Sequence, residues 1–198
     1  MKKQNLIERC ASIGKLILQE SILRRETLSG EIPFFVVPYL PQDEMQLPSA
    51  LRALFQTLES KGLSYLHIDL FDFALEILEQ EVGLETIFEF EQSADKAELA
   101  TALQSSLDLK DRFVPELCKK ISLKPETEYL FLSGAGKLYP VLRTHTILNH
   151  LQSPLPEKIV TFIFFPGKYD GRSFSLFGIL QNDNYYRAFN IENFIIKN

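Results

Sequence analysis

The sequence predicts an α/β fold: a single domain over residues 1–198, in three layers, with a mixed, mostly parallel sheet, an antiparallel C-terminal edge hairpin and a helical segment at about 84–123. Three observations carry this. Short apolar runs of strand length alternate with amphipathic runs of helix length. The runs "EIPFFVVPYL" and "KIVTFIFFP" are apolar throughout, as strands covered on both faces are. The last two apolar runs follow each other too closely for a crossover helix, so they pair antiparallel.

The elements follow in order. Leu6, Cys10, Ile13 and Ile17 repeat at helical spacing and predict a first helix from about Lys3 to Arg25. "EIPFFVVPYL" is a buried strand. In "LPSALRALFQTLESKG", Pro48 suits a first helical turn, Leu51, Leu54, Phe55 and Leu58 make one face, and Gly62 suits the C-terminal cap. "LSYLHIDL" is the second strand, with Tyr65, His67 and Asp69 on one face and Leu66, Ile68 and Leu70 on the other. "FDFALEILEQEVG" is a helix with Asp72 as its cap and Gly83 as its stop. Leu84 to Leu123 is charged, lacks glycine and reads as two helices broken near Leu109. "EYLFLSGAGKLYPVLRTHTILNHL" reads strand, Gly-rich loop, helix. "KIVTFIFFP" is followed by a Pro-Gly turn, then "FSLFGIL" and "YYRAFNI" as two short strands joined through "QNDN".

Composition narrows the classes. Hydrophobic residues make up 45% and charged residues 24%, globular values that exclude a disordered chain. With 16 Phe and no Trp, the core is expected to rest on Phe and Leu. No apolar run has the length of a membrane span, and Glu8, Arg9 and Lys15 interrupt any N-terminal signal, so a cytoplasmic protein is expected. Cys10 and Cys118 read as free thiols of a reducing compartment. The net charge of −5 argues against a chain that coats nucleic acid, although the part from Gly134 onward carries a balance of +3.

No complete catalytic motif is present. "LSGAGKLYP" is not a Walker loop: Leu138 stands where the magnesium-binding hydroxyl belongs, and Phe131 where the first glycine belongs. Tyr139 likewise breaks a Gly-x-Gly-x-x-Gly reading. What remains is a Gly-rich turn ahead of a helix, able in principle to hold an anion through Gly134, Gly136, Lys137, Arg143 and His145, or simply a tight turn. His145 and His150 diverge around their helix, and no cysteine joins them, so no metal is expected. His145 has no recognisable nucleophile at a fixed spacing, and no Gly-x-Ser-x-Gly occurs. Asp69, Asp170 and Lys168 form no nuclease pattern, because nothing fixes their separation. No cofactor is expected.

The segment from Phe164 to Phe189 resembles the BrxB family, small proteins of BREX phage-defence loci. The resemblance rests on Phe165-Pro166-Gly167, Tyr169, Gly171, Leu176-Phe177-Gly178 and Asn184-Tyr185-Tyr186-Arg187-Ala188-Phe189. It is joined by "FLSGAGKLYPVLRTHTILNHL" and "SYLHIDLFDFALEILE" and covers most of the chain. It implies a system and not a reaction. BREX loci combine a DNA methyltransferase, a large ATPase and a PglZ-like phosphatase-family protein, and the expectation is a non-catalytic accessory subunit that docks on these partners. Nucleic acid would then be contacted only indirectly and membrane not at all.

On that reading Lys168, Tyr169, Asp170, Arg172, Tyr185, Tyr186 and Arg187 are candidate partner-binding residues, since Tyr and Arg anchor protein interfaces. The alternative makes Phe174, Leu176, Phe177, Tyr185 and Phe189 sheet core and pairs Arg187 with Asp170 or Asp183. Two other expectations stay open beside docking: a degenerate nucleotide- or phosphate-sensing loop at Gly134 to Lys137, and a nucleic-acid contact by the basic C-terminal third.

Overall fold

The computed structural model describes residues 5–19, 34–181 and 188–195. The elements alternate as an α/β chain should, and they divide into two compact units interleaved in sequence. The first takes residues 1–66, 126–131 and 156–198; the second takes 67–125 and 132–155.

The strands lie in the order β2 (Tyr65–Asp69), β3 (Tyr129–Ser133), β4 (Val160–Tyr169), β1 (Phe34–Tyr39) and β7 (Phe189–Asn190). β1 runs parallel to β4, from Phe34 opposite Thr161 to Tyr39 opposite Pro166. On its other side β1 runs parallel to β7, with Phe35 opposite Phe189. All six residues of β1 are buried, which explains why this run shows no apolar–polar alternation.

Phenylalanines from neighbouring strands stack across one face of this sheet. The Phe35 and Phe162 rings lie 5.2 Å apart, and so do those of Phe162 and Phe131. The helices Leu6–Leu18 and Leu47–Glu59 contribute Leu6, Ile13, Ile17, Leu54 and Leu58 to the same core. Gly14 lets these two helices approach: a Cβ there would lie 3.2 Å from the Thr57 methyl. The first helix is closed at its start by a capping box between Asn5 and Glu8. Its described end is Leu18; the expected continuation to Arg25 and the turn "QNDN" beyond Gln181 lie outside the described residues.

In the second unit, Leu70–Glu81 packs against the helical segment through Phe73 and Phe113, whose rings meet edge to face at 5.3 Å. Glu76 pairs with Lys120, and Glu81 with Arg112. The cap of Leu70–Glu81 is Asp69 and not Asp72, because the strand runs straight into the helix and leaves no intervening loop. Residues 84–123 contain three α-helices, Leu84–Glu91, Lys96–Leu107 and Val114–Ser122. The expected break at Leu109 is a π-turn, Leu109–Phe113. A second break precedes Lys96, where Asp95 and Glu98 form a capping box.

Two local expectations are corrected. Pro166 and Gly167 do not make a turn: β4 continues through them to Tyr169, and the chain reverses only afterwards. A Cβ at Gly167 would sit 2.2 Å from the Ser175 carbonyl, so the glycine serves strand pairing. The antiparallel hairpin forms one step earlier than its expected partners. β5 (Phe174–Leu176) pairs with β4 and with β6 (Leu180–Gln181), while Phe189–Asn190 joins β1 in parallel. The cause is Gly178, at a φ of +76°, which lets "FSLFGIL" fold back on itself.

Candidate functional site

The carboxyl ends of β2 and β3 place four polar side chains together within the second unit. Asp69 ends β2 and caps the helix that follows. Its Oδ1 accepts from the amides of Phe71 at 3.0 Å and Asp72 at 3.2 Å. Its Oδ2 accepts from the Ser133 hydroxyl at 2.9 Å. Lys137 Nζ lies 3.9 Å from the same oxygen. Across the hydroxyl, His67 Nε2 stands 3.0 Å from Ser133 Oγ.

The order of these groups decides their chemistry. The Ser133 hydroxyl has one proton and gives it to Asp69, so it must accept from His67, whose Nε2 then carries a hydrogen. A hydrolytic triad needs the imidazole between hydroxyl and carboxylate, ready to take the hydroxyl proton. Here the hydroxyl stands in the middle. Ser133 is also buried, at 1% exposure, out of reach of a substrate. Burial lowers the His67 pKa, against the opposing pull of Asp69 and Asp72. The cluster is a satisfied polar network that ties β2 to β3.

The Gly-rich turn is shaped around the same carboxylate. Gly134 sits in the left-handed region, at a φ of +74°, and a Cβ there would fall 2.1 Å from Asp69 Oδ1. The residues Ala135–Leu138 form a single 3-10 turn, and the expected long helix begins only at Thr144. Gly136 is buried, Lys137 and Arg143 are exposed, and His145 is buried with its pKa lowered by burial and then by Arg143. The protein's own carboxylate therefore sits against the turn that was the candidate for an outside anion. Among the described residues, no group of three or more His, Cys, Asp or Glu is placed to hold a metal ion.

The other candidate residues lie in the first unit, on the β4–β5–β6 hairpin. Lys168, Asp170 and Arg172 are exposed. Asp170 Oδ1 accepts from the amides of Arg172 at 2.8 Å and Ser173 at 2.7 Å, and the bond from Ser173 is the leading cause of its lowered pKa. Tyr169 is buried instead, because it still belongs to the strand and its ring packs 4.6 Å from Phe174. Of the residues named as alternative core, Phe174 and Leu176 are buried, Phe189 is half-buried, and Phe177 is exposed. Tyr185, Tyr186 and Arg187 lie outside the described residues.

Sequence reasoning overlooked the tip of this hairpin. Phe177, Ile179 and Leu180 are 42%, 78% and 36% exposed. The run "FSLFGIL" reads as one strand because only Gly178 interrupts its apolar residues, and that glycine was the available signal.

Fold and site together define an α/β protein with an internally hydrogen-bonded polar cluster at the ends of β2 and β3. The family described as BREX protein BrxB matches residues 66–191, and the chain belongs to this family. It is 34% identical over 190 residues to the BREX protein BrxB of Bacillus cereus (strain H3081.97), covering 93% of this chain and 96% of that one. It is 26% identical over 183 residues to the BREX protein BrxB of Escherichia coli O9:H4 (strain HS), covering 92% and 90%. No solved structure matches it. No helix among the described residues is long and apolar enough to cross a membrane.

Proposed function

We propose that this BREX-family chain is a non-catalytic accessory subunit of a phage-defence complex. It acts in the cytoplasm through contacts with larger BREX proteins: the PglZ-like protein, the large ATPase or the methyltransferase. Its docking surface is the β4–β5–β6 hairpin with Lys168, Asp170 and Arg172, and Tyr185, Tyr186 and Arg187, outside the described residues, are further candidate contacts.

The observation that carries this reading is Phe177. It is a non-glycine residue with a φ of +55°, and its ring is exposed. The left-handed conformation costs such a residue about 1–2 kcal/mol, and 42% of the residue nonetheless stays exposed. A surface that holds an aromatic outward beside Ile179, Leu180 and a lysine has the composition of an interface core with a charged edge. Lys168 lies along the tip, its Cε 4.0 Å from where a Cβ of Gly178 would stand.

The test is affinity purification of the tagged chain from cells carrying its whole operon, repeated with Phe177→Gly and with Lys168→Ala plus Arg172→Ala. Phe177→Gly removes the ring and relieves the backbone, so the variant should unfold at the same or a higher temperature while losing its partner. Retention of every BREX partner by both variants would sink the docking surface. Turnover of nucleotide or nucleic acid by the purified chain, abolished by His145→Ala or Asp170→Ala, would sink the non-catalytic reading.

A further inference from the structure

A second surface, in the other unit, carries an independent argument. The helix Leu84–Glu91 buries none of its residues. Phe88 is 57% exposed, Phe90 43%, and the preceding Val82 41%. Leu84, Ile87 and Phe88 share a face through their three- and four-residue spacing, so the helix is amphipathic with its apolar side only half covered. Its placement is nonetheless fixed: the Leu84 amide donates to Glu79 Oε2 at 2.7 Å, and Gly83 turns the chain at a φ of +84°.

The sequence through this helix carries one sign of charge. Between Lys61 and Lys96 the sequence has no Lys or Arg and nine Asp or Glu. Glu76 and Glu81 are paired with cations of neighbouring helices. Glu85, Glu89 and Glu91 are exposed and make no ion pair among the described residues. An acidic rim of this kind is repelled by nucleic acid and by anionic lipid surfaces. The macromolecule it attracts is a protein with a basic surface.

We propose that Leu84–Glu91 is a docking helix that lays Phe88 into an apolar groove of a partner protein, rimmed by Lys or Arg. Aromatic anchors ringed by charge are the recurrent composition of helix-in-groove recognition. The acidic residues select the basic rim and Phe88 supplies the contact that outlasts it.

The probe is a photo-crosslinking benzoylphenylalanine placed at Phe88 in the full chain, expressed with its whole operon. Irradiation should yield one crosslinked protein, and mass spectrometry should map the crosslink to a peptide rich in Lys or Arg and apolar residues. Glu85→Lys, Glu89→Lys and Glu91→Lys together should reduce that product about tenfold or more. The triple variant and Phe88→Ser should unfold at the parent temperature, because the substituted residues are all exposed. The proposal is overturned by any of four results. These are no crosslink, a crosslink to nucleic acid, a crosslink within this chain or to a second copy of it, and a product indifferent to charge reversal. The hairpin is unaltered in these variants, so its docking role stands or falls separately.

Discussion

The hydroxyl of Tyr169 holds both backbone groups of Ala188: it accepts from the amide at 3.0 Å and donates to the carbonyl at 3.1 Å. One side-chain oxygen thus does for Ala188 what a neighbouring strand does for an ordinary residue. Asn190 reinforces the tie, its Nδ2 donating to the Tyr169 carbonyl at 2.6 Å. Tyr169→Phe should leave two backbone groups unpaired and cost about 1–3 kcal/mol. Urea denaturation measures it, as a lower midpoint at an unchanged slope.

Gly134 and Gly171 separate conformation from space. Both have positive φ, +74° and +95°. A Cβ at Gly171 meets nothing within 4 Å, whereas one at Gly134 meets the Asp69 carboxylate. Gly171→Ala should cost about 1–2 kcal/mol from conformation alone. Gly134→Ala should cost clearly more, since it also breaks a helix cap worth about 1 kcal/mol. Thermal unfolding of the two variants, side by side, checks the order.

Stability should fall on mild acidification. Burial lowers His67 and His145 below their ordinary value of 6.5. Between the folded and unfolded values the unfolded chain binds more protons, so stability rises with pH there. It is full above the unfolded value and is lost as pH falls through the folded one. The urea midpoint should therefore drop from about pH 7 to about pH 5, and His67→Gln should flatten part of that slope. An unchanged slope in that variant would mean that His67 does not contribute to the pH dependence.

The two thiols should react in sequence. Burial pushes Cys10 up to about 12 despite the opposing effect of Arg9, and raises the half-buried Cys118 as well. Only the thiolate attacks disulfide reagents. Cys118 should be modified slowly in the native protein and Cys10 only on unfolding, which a reagent titration with and without denaturant resolves.

Much of the fold is legible because its signals are local. The continuous apolar runs at β1 and β4 and the alternation of Tyr65, His67 and Asp69 against Leu66 and Ile68 announce strands without tertiary context. Asp69 as the cap was hidden because the strand enters the helix with no polar spacer. The turn at Pro166-Gly167 was misread because the pair punctuates a chain wherever it falls, yet here the glycine answers to the close carbonyl of Ser175. The role of Ser133 was invisible for a different reason: its partners Asp69 and His67 are more than sixty residues away in sequence. No local pattern records such a meeting.

The neighbours of β1 have a consequence for synthesis. Its Phe34 and Phe35 pair with Thr161 and Phe162 on one side, and Phe35 with Phe189 on the other. Both partners are made long after β1 itself. A growing chain therefore carries a six-residue apolar strand with two open edges until Thr161 to Pro166 have been made, and one open edge until Phe189 emerges. The β1 segment cannot settle as it is made, and its safekeeping in that interval falls to whatever binds nascent chains.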